Sequence, residues 1–289
     1  MKTGNPKSVR YTLMNLSNKE GLPFQQVLTR YLHERLLYRL SVSKYKSIFI
    51  LKGGNLVYAM EGLHIRPTMD IDILAKNISN DKETLKDIFR SICSIVYEDD
   101  CVTFDTQNIS VSDIAEEKKY SGIRLVIKTY FDTVIQNMQI DIGFGDIVSP
   151  EPLTLSYPTL LEGLNSPVIL AYSIETVIAE KFETMIFLGI YNSRMKDFFD
   201  VYILLKNNEI AFDSLRSAIL QTFNQRNTRF VENHPLFTAG FYEDNIRQML
   251  WKVFLRKIKY TEVLEFSVVI NSIIKRLQPI YLEHFLPSL

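Results

Sequence analysis

At 289 residues the chain has room for two domains and a sizeable core, and its 46% apolar and 23% charged residues are ordinary for a soluble globular protein. Formal net charge is zero, no apolar run approaches the ~18–20 residues that span a bilayer, and the first twenty residues lack the apolar stretch of a secretion signal. Two cysteines, Cys93 and Cys101, without CxxC spacing, and only four histidines argue against a disulfide framework or transition-metal chemistry and fit a reduced cytoplasm.

Residues 8–40 predict two helices divided by Gly21-Leu22-Pro23, with apolar residues at helical spacing in Val27, Leu28, Tyr31, Leu32, Leu36 and Leu40. A polar link leads to a strand at 48–51, which breaks into Gly53-Gly54. A short helix over 55–61 follows, ended by Gly62. A second strand covers 70–74. Ser79-Asn80-Asp81 starts an amphipathic helix reaching about residue 97. Residues 101–142 read as β-rich, with strands at 102–104, 109–114, 123–130 and 138–142, the last two bracketing a turn over 131–137. Prolines 150, 152, 158 and 167 mark a change of regime, and from 173 onward the pattern is helical. The expected architecture is α/β (α+β): residues 1–150 hold N-terminal helices (1–46) and an α/β core with a mixed sheet (47–150), and 151–289 form a helical C-terminal domain.

Zero net charge hides an uneven distribution. Residues 1–46 carry nine Lys/Arg against two Glu, whereas residues 70–120 carry twelve Asp/Glu against six Lys/Arg. A basic segment beside an acidic one suits an enzyme that handles polyanions, although a solvated helix face gives the same count.

The chemistry concentrates between residues 48 and 75. In a strand, residues i and i+2 share a face, so Asp70 and Asp72 project together while Ile71 and Ile73 turn away. Two carboxylates that close stay ionised most easily around a divalent cation, and Mg²⁺ prefers such oxygen ligands alongside substrate phosphates. The Gly53-Gly54 turn before a helix lets backbone N–H groups approach those phosphates. A third carboxylate should come from a neighbouring strand. Asp141, in Gln139-Ile140-Asp141-Ile142, is the first candidate and Asp146 the second. Further on, Lys181 falls on the apolar face of its helix with Ile174 and Val177, and Asp197 shares a face with Val201, Leu204 and Leu205. An inward lysine needs a negative partner. A triphosphate or the carboxylate cluster would be one; a structural Lys181–Asp197 ion pair would be another.

The glycine pair followed by Asp-x-Asp resembles the pattern of DNA polymerase β-like nucleotidyltransferases. Leu51-Lys52-Gly53-Gly54-Asn55-Leu56, Arg66-Pro67-Thr68-Met69-Asp70-Ile71-Asp72, Ala179-Glu180-Lys181-Phe182-Glu183 and Asn192-Ser193-Arg194-Met195-Lys196-Asp197 together resemble the AbiEii/AbiGii toxin family, over roughly residues 8–205. The resemblance implies an Mg²⁺-dependent nucleotidyltransferase of a bacterial toxin–antitoxin or phage-exclusion system. It also implies an NTP substrate, an RNA acceptor such as the tRNA 3′ end, and an antitoxin encoded alongside without a stable complex. Carried over by position, Asp70, Asp72, Lys181 and Asp197 would be catalytic, and Asp70, Asp72 and Asp141 would hold the metal. Gly53, Gly54, Asn55, Arg66, Thr68, Arg194 and Lys196 would contact the nucleotide. Relatives often carry a hydroxyl residue at or just after the glycine pair; here Gly54 and Asn55 stand there. The alternatives are kinase-like γ-phosphoryl transfer, a non-catalytic nucleotide- or RNA-binding module, and a purely structural protein.

Overall fold

The computed structural model describes residues 4–114 and 122–283. They divide into two units, Met1–Gly145 with Pro152–Ala171, and Asp146–Glu151 with Tyr172–Leu289. No helix among the described residues is long and apolar enough to cross a membrane.

The first unit opens with α1 (Pro6–Glu20), whose first N–H groups are capped by the Asn5 side chain, and α2 (Phe24–Val42). β1 (Phe49–Lys52) runs straight into α3 (Gly53–Glu61), and β2 (Asp70–Ala75) returns antiparallel to β1. Asp81 caps α4 (Lys82–Cys93). Next come β3 (Val102–Phe104), β4 (Ser110–Ile114), β5 (Gly122–Phe131), β6 (Val134–Phe144), β7 (Leu153–Ser156) and β8 (Val168–Ala171). Among the described residues these make one eight-stranded mixed sheet in the order β3-β5-β6-β2-β1-β8-β7, with β4 also on β5. Strict alternation explains its sidedness: Ile71, Ile73, Ile123, Leu125, Ile127, Ile140 and Ile142 all go to one buried face. Helices α2 and α4 cover that face through aromatic contacts, Tyr31 edge-on to Phe131 and Phe89 tilted against Phe49.

Two differences from the sequence expectation are physical. The turn between β5 and β6 is two residues, Asp132 and Thr133, because pairing continues through the polar Gln136 and Asn137 to Phe131 and Val134. Arg10 ties that turn to α1, reaching Asp132 and Thr133 at 2.9 Å each. Strands β7 and β8 are four residues each; β7 lies between Pro152 and Pro158 on the sheet edge, where a missing N–H is tolerated, and β8 starts directly after Pro167.

Helix α2 removes three of the nine cations from the reading of residues 1–46 as a segment for polyanions. Arg30, Arg35 and Arg39 are buried. Arg39 grips Asp100 with two nitrogens (2.7 and 3.2 Å) and spends its other donors on the carbonyls of Arg35, Ile95 and Val102. Arg30 donates to the carbonyls of Leu63 and Ile65 and lies 4.6 Å above the Tyr58 ring. Arg35 pairs with Glu34 and with the Asn165 carbonyl. These cations hold the helix to its neighbours, so they are not exposed for a polyanion. Lys2 and residues 116–119 of the acidic segment lie outside the described residues.

The second unit is helical: α5 (Ile174–Leu188), α6 (Met195–Asn207), α7 (Phe212–Arg226), the short α8 (Ala239–Tyr242), α9 (Asn245–Lys257) and α10 (Phe266–Leu282). Its core has two aromatic clusters. Phe182, Phe223, Phe230, Phe237 and Tyr281 form one; Phe199, Trp251, Phe254 and Phe266 belong to the other. Inside this unit Arg226 collects Asp146, Glu180 and Glu183 at 3.1, 3.2 and 2.8 Å. Despite burial, those three acids raise its guanidinium above the usual range, so it stays a cation.

Candidate active site

Asp70 and Asp72 leave β2 on the face opposite Ile71 and Ile73, as alternation requires. β6 runs parallel to β2 in a register that sets Asp141 directly across from Asp72 and Gln139 across from Asp70. One oxygen from each of Asp70, Asp72 and Asp141 lies within 4.8 Å of the others. Asp146, the second choice for the third carboxylate, belongs to the second unit and pairs with Arg226.

Three carboxylates at that spacing repel one another, and the surrounding donors temper them. Arg124 on β5 sits across from Asp141 and clamps it with two bonds, Nε to Oδ1 at 2.9 Å and Nη2 to Oδ2 at 2.8 Å. Gln139 Nε2 adds longer contacts to both Asp141 oxygens, 3.2 and 3.3 Å. Thr68 donates its hydroxyl to Asp70 Oδ1 at 2.8 Å. With Lys52 across from Asp72, four strands place Lys52, Asp72, Asp141 and Arg124 in one cross-strand row: cation, acid, acid, cation.

The glycine pair packs against this group. Gly53 has φ +66°, and a Cβ there would lie 1.9 Å from Asp72 Oδ2. A Cβ on Gly54 would lie 2.5 Å from Thr68 Oγ1 and 3.4 Å from Arg66 Nη1. Bare backbone therefore starts α3 at the carboxylates, and the N-cap residue Lys52 does not cap that helix end with its side chain. Of the nucleotide contacts expected from the sequence, Gly53, Gly54, Arg66 and Thr68 thus gather around one turn with Asp70 and Asp72.

Asn55 does not present its amide there. Its side chain is fully buried; Nδ2 donates to the Asp70 carbonyl at 2.6 Å, and Oδ1 accepts from Tyr157 Oη at 3.1 Å and His33 Nδ1 at 3.2 Å. The Asp70 carbonyl can only accept, which fixes the amide orientation, and Oδ1, which can only accept, makes His33 Nδ1 the protonated nitrogen. The amide expected to touch phosphate instead fixes the start of the carboxylate strand.

A second cluster lies on α5 and α6. Lys181 Nζ meets Asp197 Oδ1 at 2.7 Å and Asp200 Oδ2 at 2.8 Å, and Arg194 Nε meets Asp197 Oδ2 at 2.6 Å. Burial by itself would raise the Asp197 carboxyl, but Lys181 and Arg194, with Lys196 adding, outweigh it and hold it well below the usual carboxylate range. Asp197 and Asp200 are buried, while Arg194 and Lys196 are exposed. The ion pair foreseen from helical spacing is present, with Asp200 as a further partner.

The family model "Nucleotidyl transferase AbiEii toxin, Type IV TA system" matches residues 35–272. The chain belongs to that AbiEii family. It is accordingly a nucleotidyltransferase of a toxin–antitoxin system, with an NTP substrate and a cognate antitoxin. Two crystal structures share the fold. JHP933 from Helicobacter pylori is 16% identical with a TM-score of 0.51, covering 90% of this chain and 93% of that one. A candidate nucleotidyltransferase from H. pylori is 15% identical with a TM-score of 0.50, covering 92% and 100%. No curated protein matches the chain significantly.

For an AbiEii enzyme the donor set suits a hard divalent cation: three carboxylates, oxygen only, beside a turn whose Cβ space is filled by one of the ligands themselves. Two residues of this AbiEii site lay outside the sequence reading, Arg124 and Gln139. Both are exposed to view only through strand register. The hairpin signal at 123–142 could have paired Arg124 with Asp141, had the turn been placed at two residues.

Proposed function

We propose that the chain transfers a nucleoside monophosphate from an NTP to an acceptor hydroxyl, with the tRNA 3′ end as the first acceptor to test and the cytoplasm as its place of action. The observation that carries this is the Asp70–Asp72–Asp141 triad set against the Gly53-Gly54 start of α3. In this reading the triad residues hold Mg²⁺. What that cation supplies when bound is charge neutralisation at the phosphates and a lower pKa for the attacking hydroxyl.

The chain's own residues do the rest by positioning. The backbone N–H groups of Gly53 and Gly54 bind phosphate oxygens, helped by the positive end of the α3 dipole. Arg66 and Thr68 border that phosphate seat. Lys181, Arg194 and Lys196 serve the triphosphate, and buried Asp197 keeps Lys181 and Arg194 oriented. We assign the nucleotidyl chemistry to the unit that holds the sheet, residues 1–145 with 152–171, where the sequence placed it in 1–150, and a supporting role to the helical unit that follows from Tyr172. The exposed Lys252, Arg256, Lys257 and Lys259 are the candidate contacts to an RNA backbone. The biological setting we infer is growth inhibition, including exclusion of phage, relieved by the antitoxin without a lasting complex.

The test is incubation of purified protein with total RNA, Mg²⁺ and each NTP labelled at the α or the γ phosphate. Label from the α position on a tRNA band, lost in Asp72→Ala, is the expected result. Transfer from the γ position alone would replace the reading with a kinase, and no NTP-dependent product would leave a binding module.

A further inference from the structure

Asp141 is engaged on both of its oxygens. A carboxylate offers about four lone-pair sites. On Asp141 the Arg124 fork takes one on each oxygen, and Gln139 Nε2 reaches toward both. A cation drawing on Asp141 therefore meets a guanidinium already in place. Arg124 is also 39% exposed at its side chain, whereas Asp141 is 15% exposed, so the arginine is the partner with room to move. Its position is not incidental to the triad, because register alone carries it from β5 to Asp141 and from Asp141 to Asp72.

We propose that Arg124 is a positioning residue that holds Asp141 in its ligating orientation and weakens the affinity of the triad for a divalent cation. The inference rests on the metal-binding reading of Asp70, Asp72 and Asp141. Two properties of the guanidinium are separable. Its charge competes electrostatically with the cation and sets affinity. Its planar fork fixes the Asp141 rotamer, which an ammonium at the same place cannot do.

Titration with Mn²⁺, read by electron paramagnetic resonance on purified full-length protein, measures affinity without reference to activity. Arg124→Gln, which removes charge and fork, is expected to bind Mn²⁺ about five- to tenfold more tightly, since a nearby positive charge has gone. Arg124→Lys is expected to bind as the wild type does. Nucleotidyl transfer at saturating metal is expected to fall about tenfold in both variants, because neither orients Asp141 bidentately. Unchanged or weaker Mn²⁺ binding by Arg124→Gln overturns the proposal, as does wild-type turnover in both variants. Should Arg124→Gln fail to fold, turnover by Arg124→Lys decides: wild-type turnover overturns the fork, and a fall at wild-type Mn²⁺ affinity upholds it. An Asp72→Ala control separates the two levels. If it binds Mn²⁺ as well as the wild type, the metal reading itself has failed; if it loses binding while Arg124→Gln is unchanged, only the role of Arg124 has.

Discussion

The Asn55 side chain donates to the Asp70 backbone carbonyl at 2.6 Å, across fifteen residues of chain, and so ties the first turn of α3 to the start of the carboxylate strand. Tyr157 and His33 hold the other end of the same amide. Asn55→Ala leaves two buried donors and a carbonyl without their partner. At about 1–3 kcal/mol for each unsatisfied buried group, the loss should be several kcal/mol, read as a lower denaturation midpoint. Tyr157→Phe removes one donor only and should cost about 1 kcal/mol. Equal losses in the two variants would show that Asn55 is not the hub.

Gly53 allows a clean comparison with another glycine. Gly53→Ala meets both a left-handed backbone and a Cβ 1.9 Å from Asp72 Oδ2, whereas Gly62, at φ +87°, has nothing within 4 Å. Gly62→Ala should cost only the backbone strain of its φ +87°, ψ −168° conformation, about 1–3 kcal/mol, with nucleotidyl transfer unchanged in the folded protein. Gly53→Ala should displace Asp72 and abolish transfer. Retained transfer in Gly53→Ala would show that the close packing is dispensable.

His33 makes stability depend on pH. Burial holds its imidazole down to about 4, against an ordinary value of about 6.5. Between those values the folded state binds fewer protons than the unfolded chain, so stability from this group is full above about pH 6.5 and is lost as pH falls toward 4. At about 1.4 kcal/mol per pKa unit the window is worth about 3 kcal/mol. His33→Asn keeps an N–H for Asn55 and does not titrate. The stability advantage of wild type over variant should shrink by about 3 kcal/mol between pH 7 and 4, measured by urea unfolding at each pH. A pH-independent difference would contradict it.

Lys181 separates a structural from a chemical role. Lys181→Ala leaves Asp197 and Asp200 buried without their shared cation and should cost about 3–5 kcal/mol. Adding Asp197→Asn and Asp200→Asn removes the excess buried negative charge and should restore part of that stability. If Lys181 contacts the triphosphate, transfer stays lost in the restabilised triple variant; recovered transfer would reduce the lysine to an internal tie.

Much of this architecture can be read from residue patterns because it rests on local periodicity. Alternation in 70–74 and 139–142 puts three aspartates on strands, and helical spacing turns Lys181 and Asp197 inward. What escaped that reading depends on tertiary partners. Arg124 acquires its role only through the register of β5 on β6. Arg30, Arg35 and Arg39 look like a surface charge run until α2 is seen buried on nearly all sides, with carbonyls and Asp100 waiting for them. Asn55 looks like a phosphate donor because it follows the glycine pair, yet its amide points into the fold. β7 and β8 are too short, and too hemmed by proline, to announce themselves.

Arg124, Gln139 and Asp141 ride on one hairpin closed by Asp132 and Thr133. Hairpins form in about 1–10 μs. Parallel pairing of β6 with β2 must instead close a far longer stretch of chain, and it comes later on that account. On that expected order the third carboxylate reaches Asp72 with its guanidinium already attached. The ion pair that tempers the finished site also shields its assembly.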